Sequence, residues 1–210
     1  VFSSTVTGSA AGAGLTTTGP ITLGGDVVTN NGALTFNGAV TIGTDLTINS
    51  GTAATTFGST IDSAADGGTL FRSLTVNAGA LSFGGAIGGQ FSLGALSLTS
   101  ATGFALPAVT ATSIFARSTA GDLTLNGVLT ASDGGAAVTL AADNAFINNA
   151  GAGAINLTAT EVAVAPYWLI YSASPAADTF GGLNSGNFAV WNTSFPAATP
   201  PSGGDFYLFA

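Results

Sequence analysis

Carboxylates close together with a cation beside them are what polysaccharide hydrolase or lyase chemistry requires, and the chain holds one such grouping: Asp62 and Asp66, followed by Arg72. It reads as a solvated loop with a weak surface ion pair, and Arg117 near Asp122 reads the same way. His and Cys are both absent, which removes the commonest general base, the usual nitrogen and sulfur metal ligands and any thiol nucleophile. The expectation is a protein that is not an enzyme, with no catalytic residue, no metal and no cofactor.

Two further patterns invite a ligand and fall short of one. Gly24-Gly25-Asp26 and Asp133-Gly134-Gly135 are fragments of calcium-binding β-roll repeats, but the intact nonapeptide occurs nowhere, and a calcium site needs six to eight oxygens. Thr-x-Thr pairs of the kind found on ice-binding sheets occur at Thr5/Thr7, Thr16/Thr18, Thr110/Thr112 and Thr158/Thr160, with irregular spacing. Exposed Thr is explained by keeping a sheet both soluble and β-prone.

The elements that would position these residues are short strands. In Leu34 to Ser50 an apolar residue, a Thr and an apolar residue recur three times: Leu34-Thr35-Phe36, Val40-Thr41-Ile42 and Leu46-Thr47-Ile48, separated by turn residues. Alternate side chains of a strand point to opposite faces, so each triplet buries its outer residues and turns its Thr to water. Three residues cannot offset the entropy of ordering them, and must be stabilised by copies stacked above and below.

The form continues through Leu74-Thr75-Val76, Leu81-Ser82-Phe83, Phe91-Ser92-Leu93, Leu96-Ser97-Leu98, Leu123-Thr124-Leu125, Val138-Thr139-Leu140 and Ile155-Asn156-Leu157. Gly32–Val40 is echoed at Gly79–Ile87, and Leu74–Asn77 at Leu123–Asn126. If each interval is two coils, one coil takes roughly 23 to 25 residues. Asn37, Asn49, Asn77 and Asn126 each follow a triplet, where Asn can take left-handed geometry. Gly24-Gly25-Asp26 and Asn30-Asn31-Gly32 read as turns that tolerate positive φ.

No stretch has helical periodicity, and strands of a β-sandwich usually run about five or six residues. The fold expected is all-β: a parallel β-helix of about seven coils, on the order of 35 Å long. Its inward positions are Leu34, Phe36, Val40, Ile42, Leu46, Ile48, Leu74, Val76, Leu96, Leu98, Leu123 and Leu125. Residues 1–165 form the repeats, with Val1 to Gly19 a partial first coil. Residues 166–210 form an aromatic and Pro-rich closing segment of the same solenoid, holding five of the seven Pro (Pro166, Pro175, Pro196, Pro200 and Pro201), both Trp and all three Tyr.

Of 210 residues, 46% are hydrophobic and only 6% charged, with a net charge of −8, so the chain folds rather than forming an acidic tail. With two basic residues it has no patch for nucleic acid or an anionic membrane. The apolar run around Val162 to Tyr171 is too short for a membrane span. No signal peptide is read at Val1, so an export signal is expected outside this chain or already removed.

Three runs resemble the β-strand repeats of filamentous-haemagglutinin-like exoproteins of Gram-negative bacteria: Thr56 to Asp62, Ser73 to Gly79 and Phe83 to Gly89. The tail Trp168 to Ser172, with Pro175, Asp178 to Leu183 and Phe206 to Leu208, is similar to a segment that closes such repeats. The resemblance implies a right-handed β-helix, an extracellular or cell-surface location, secretion through an outer-membrane partner, and service as an adhesin, surface fibre or matrix component. The Asn-Pro-Asn motifs of that family's secretion domain do not occur here.

Two roles stay open: a rigid stalk within a longer exoprotein, or a subunit of an end-to-end filament. The contacts at issue are Val1, Phe2 and Val6 at the front and Trp168, Trp191, Phe206, Tyr207, Leu208 and Phe209 at the back. The aromatic residues there serve as a cap over the last coil, as a contact with the next subunit, or as a platform for glycan stacking.

Overall fold

The computed structural model describes residues 1–65, 70–159, 163–196 and 204–210. Asp66, Thr160, Val162, Pro200 and Pro201 lie outside them. The described residues are all-β, and every strand ladder is parallel. They form a β-solenoid of about nine turns rather than the seven expected.

Each coil contributes strands to three faces. After β1 (Val6–Gly8), the coils run β2 (Leu15–Thr17), β3 (Ile21–Leu23) and β4 (Val27–Thr29), then β5 (Leu34–Phe36), β6 (Val40–Ile42) and β7 (Leu46–Asn49). Next come β8 (Ala54–Phe57), β9 (Ile61–Ser63) and β10 (Leu74–Ala78), followed by β11 (Ala80–Phe83) and β12 (Leu93–Ser100). β13 (Phe104–Leu106) and β14 (Val109–Ser118) precede β15 (Leu123–Leu125), β16 (Leu129–Ala131) and β17 (Ala136–Ala142). The last coils hold β18 (Phe146–Asn148), β19 (Ile155–Leu157), β20 (Tyr167–Ser172), β21 (Ala189–Val190) and β22 (Phe206–Phe209).

The three triplets of Leu34 to Ser50 are therefore one turn of the solenoid, one triplet per face. Face one stacks β2, β5, β8 and β11, then β13, β15 and β18. Face two runs through β3, β6 and β9, bridges Ile61 to Ile87 to Val109, and continues along the first half of β14 into β16 and β19. Face three carries β1, β4, β7, β10, β12, β14, β17, β20 and β22 in order. At about 4.8 Å per rung, its nine rungs span on the order of 40 Å.

All twelve expected inward residues are buried, while Thr47 and Thr75 between them are half-exposed. Phe36, Phe57, Phe83 and Phe104 stack up face one with ring centroids 5.3, 5.5 and 6.5 Å apart. Outside, Thr16, Thr35 and Thr56 fall in register, as do Thr47 and Thr75. The described Thr-x-Thr pairs begin on three different faces, so they do not merge into one array.

Gly32–Val40 and Gly79–Ile87 are two coils apart, as expected, since Phe36 pairs with Phe57 and Phe57 with Phe83. Other expectations need correction. Leu74 and Leu123 are not equivalent: Leu74 pairs with Leu96 on face three, and Leu123 with Phe104 on face one. Leu-Thr-Leu suits any face, so the apparent repeat mixed two. Phe91 is 42% exposed and only Leu93 of its triplet enters a strand. Ile155-Asn156-Leu157 forms a strand but is only half-buried.

The turns also work differently. Among the Asn residues described, Asn31, Asn187 and Asn192 have positive φ, and none of the four that follow triplets does. Asn49 and Asn77 instead align in the ladder, and Asn149 donates its Nδ2 to Asn126 Oδ1 at 3.0 Å. Gly32 is required for close approach rather than for positive φ: a Cβ there would collide with the Ala13 carbonyl of the neighbouring coil.

The expected boundary at 165/166 falls inside a coil, because β18, β19 and β20 are its three strands. The build changes after Ser172, where Asp178 to Leu183, β21 and β22 close the end.

Candidate functional site

Six carboxylates, with Asp62 and Asp122 of the expected surface pairs among them, are structural acceptors between coils. Asp26 Oδ1 accepts the Thr47 N–H at 2.7 Å, 21 residues on, and Asp45 Oδ1 accepts the Ser73 N–H at 2.8 Å, 28 residues on. Asp122 Oδ1 accepts from the Asn144 amide at 2.6 Å and the Ala145 N–H at 3.2 Å. Asp178 Oδ1 accepts the Phe146 N–H at 2.8 Å, and Asp205 Oδ1 the Trp168 N–H at 2.9 Å. Each joins a side chain to the backbone of an adjacent rung by a hydrogen bond that a carboxylate charge strengthens.

Asp62 does the same, accepting the N–H groups of Gln90 and Phe91 at 2.8 and 3.2 Å. Arg72 donates its backbone N–H to Ser63 Oγ at 3.1 Å. The expected pairing of Arg117 with Asp122 is absent among the described residues. The Arg117 guanidinium lies over the Phe195 ring instead, 4.9 Å from its centroid. Asp133 Oδ1 accepts the adjacent Gly134 N–H, and the described residues hold no cluster of three or more acidic, His or Cys side chains.

The back end is the most elaborate part of the molecule. Phe206, Tyr207, Leu208 and Phe209 are all buried, and β22 pairs with β20 on one side and β21 on the other. Alternation sends Tyr207 and Phe209 into the lumen, where Phe180 meets Tyr207 edge-on at 4.6 Å and Trp168 meets it at 5.0 Å. The Tyr207 hydroxyl donates to the Leu183 carbonyl at 2.9 Å. Burial, with Asp178 and Asp205 nearby, holds that phenol well above its ordinary range.

Outward, Ala141, Leu169, Tyr171, Phe206 and Leu208 form a second apolar cluster under Phe195. Phe195 touches Phe115 at 5.5 Å and Tyr171 at 5.3 Å, so the segment Thr193 to Phe195 straps the outer face of the sheet. Desolvation, and then Tyr167, raises the Tyr171 phenol. Beside the strap lies a cavity of about 380 Å³ bounded by Arg117, Asp143, Tyr171, Ser172 and Thr193.

Burial raises the carboxyl groups of Asp178 and Asp205, against the opposing effect of the hydrogen bonds they accept. Asn148, buried at 2% exposure, ties this end to the rod. Its Nδ2 donates to the carbonyls of Gly151 and Phe180 at 2.9 and 2.8 Å, and its Oδ1 accepts the N–H groups of Ala150 and Gly151.

Of the residues singled out in the sequence, Trp168, Phe206, Tyr207, Leu208 and Phe209 come together within the molecule. Trp191 joins them by one face, 5.0 Å from Phe209, and is 61% exposed. At the front, Val1 is 89% exposed, Phe2 bridges Leu23, and Val6 begins β1 half-buried. Asn148, Phe195 and Asp205 were missed, and Asp178 was noted only as part of the closing segment, since a lone Asn, Asp or Phe in a turn-rich stretch carries no periodic signal. No family model, no curated protein and no solved structure matches the chain.

Proposed function

We propose that this chain is a structural rod without catalytic function: the closing segment of a β-solenoid stalk in a bacterial surface exoprotein that serves adhesion or an extracellular matrix. The observation that supports it is the inequality of the two ends. At the front, β1 and β2 each pair on one side only among the described residues, so their other edges can take up a further coil. At the back, β19 and β21 likewise pair on one side only among the described residues, but there Phe180, Tyr207 and Phe209 fill the lumen at the last rung. An extracellular location and passage through an outer-membrane partner are further parts of this reading, carried by the resemblance to filamentous-haemagglutinin-like exoproteins.

The end-to-end filament is the weaker reading. The rings a following subunit would use, Tyr207 and Phe209, already pack on the molecule's own last coil. The test is immunolabelling of intact cells that make the natural protein, with antibody to this segment, read by electron microscopy. Label on the surface at the end of a thin rod is expected; label seen only after lysis, or turnover of any polysaccharide in a broad screen, would overturn the proposal.

A further inference from the structure

We infer that the outer surface of the cap is a binding groove for an uncharged saccharide. The groove, about 370 Å³, is bounded by Phe180, Asn184, Asn187, Phe188, Tyr207 and Phe209, and no charged side chain lines it among the described residues. The core beneath is already sealed, because the Tyr207 hydroxyl holds the Leu183 carbonyl and Leu183 is only 8% exposed.

Phe188 and Trp191 are left over by that closure. They flank β21 and stand 54% and 61% exposed, yet each rests on a ring below: Phe188 on Phe206 at 5.4 Å and Trp191 on Phe209 at 5.0 Å. An exposed ring anchored from beneath presents a flat apolar face with little mobility left to lose, which suits stacking against the C–H face of a pyranose.

The amides complete the chemistry. Asn184 Oδ1 accepts the Gly186 N–H at 2.8 Å, which fixes its amide plane at the rim, and Asn187 is exposed beside it in the left-handed region at φ 70°. Amide groups both donate and accept, as vicinal hydroxyls require. A uronate or phosphate finds no cation in this lining, and burying one there unpaired would be costly. A proline-rich peptide also favours aromatic grooves, but its prolines offer carbonyl acceptors and no N–H donors.

The test is calorimetric titration of the folded chain with cellohexaose, chitohexaose and maltohexaose, with hexagalacturonate and a polyproline peptide alongside. Trp191 fluorescence gives a second readout. Saturable binding of at least one neutral oligosaccharide is expected, weakened at least about tenfold in Phe188→Ala and in Asn187→Gly, which keeps the left-handed backbone but removes the amide. Circular dichroism should show both variants folded. The inference is overturned by no neutral binding up to about 10 mM, by binding that both variants retain, or by tighter binding of hexagalacturonate or polyproline. Such a failure would leave the rod proposal standing, since no ladder depends on either exposed ring.

Discussion

Asp178 and Asp205 put the residue-scale physics in its sharpest form, because each accepts a backbone N–H while its burial disfavours the charge that makes the bond strong. Their folded-state pKa values lie above the ordinary 3.8, so the folded chain binds these protons more tightly than the unfolded one. The resulting stabilisation is complete below the unfolded pKa and is lost as pH rises through the raised one. Acidification from neutral pH towards the unfolded carboxyl value should therefore favour the cap through these two groups. Asp205→Asn keeps an oxygen for the Trp168 N–H and discards the charge. Urea denaturation should find it at least as stable as the parent at neutral pH, with a flatter pH profile; an unchanged profile would mean that Asp205 does not contribute. Asn148→Ala leaves the Ala150 and Gly151 N–H groups without their acceptor around a buried position, while the Gly151 and Phe180 carbonyls keep the Ala154 and Leu183 N–H groups, and should cost about 2–4 kcal/mol by the same measurement.

At the scale of the strand, one rule explains most of what was legible: inward residues are set by a period of two, and a turn follows after three or four residues. The rule fails in β8, where Thr55 faces inward, fully buried, between Leu34 and Leu81, and satisfies its hydroxyl by donating to Ser50 Oγ at 2.9 Å. A polar inward residue erases the triplet from the sequence. Assigning triplets to faces was likewise beyond composition, as Leu74 and Leu123 show. The cap was visible as a cluster of aromatic residues, but its contacts depend on turns at Gly181, Gly182 and Gly186 whose left-handed φ no periodicity announces. Within the ladder, Phe57→Ala should destabilise by about 3–5 kcal/mol, because Phe36 and Phe83 lose the ring between them. Phe57→Leu should cost less than about 1.5 kcal/mol. Gly79→Val would drive its Cβ into the Thr52 carbonyl of the neighbouring coil, and a fall in thermal midpoint of several degrees is expected.

Over the whole molecule, stability is a sum of rungs and the contacts between them, so it should be lowest where a rung has one neighbour. β1 and β2 are such rungs, with Phe2, Val6 and Leu15 only half-buried and no charged side chain before Asp26. Hydrogen exchange should show their amides opening well before those of β10, β12 and β14, which are paired on both sides. Equal protection along the rod would contradict this gradient. β22 should resemble the middle, since it has partners on both sides and its lumen is filled by rings, whereas β19 and β21, each paired on one side among the described residues, should open earlier.

The unequal lengths of the coils have a consequence for what the rod can carry. Hydrogen bonds between adjacent rungs join residues 21 apart in one place, 28 in another and 37 near the cap, yet the ladders of the described strands keep their register apart from one bulge between Ala136 and Val138. The extra residues leave at the corners, so a corner behaves as a socket that accepts foreign sequence without disturbing the ladder. The corner between β18 and β19 is open, with Gly151 at φ 87° and no atom within 4 Å of a Cβ at either Gly151 or Gly153. A peptide epitope spliced in after Gly153 should be displayed at full antibody accessibility with the thermal midpoint nearly unchanged, making the solenoid a scaffold whose cargo is exchanged at its edges while its interior stays constant.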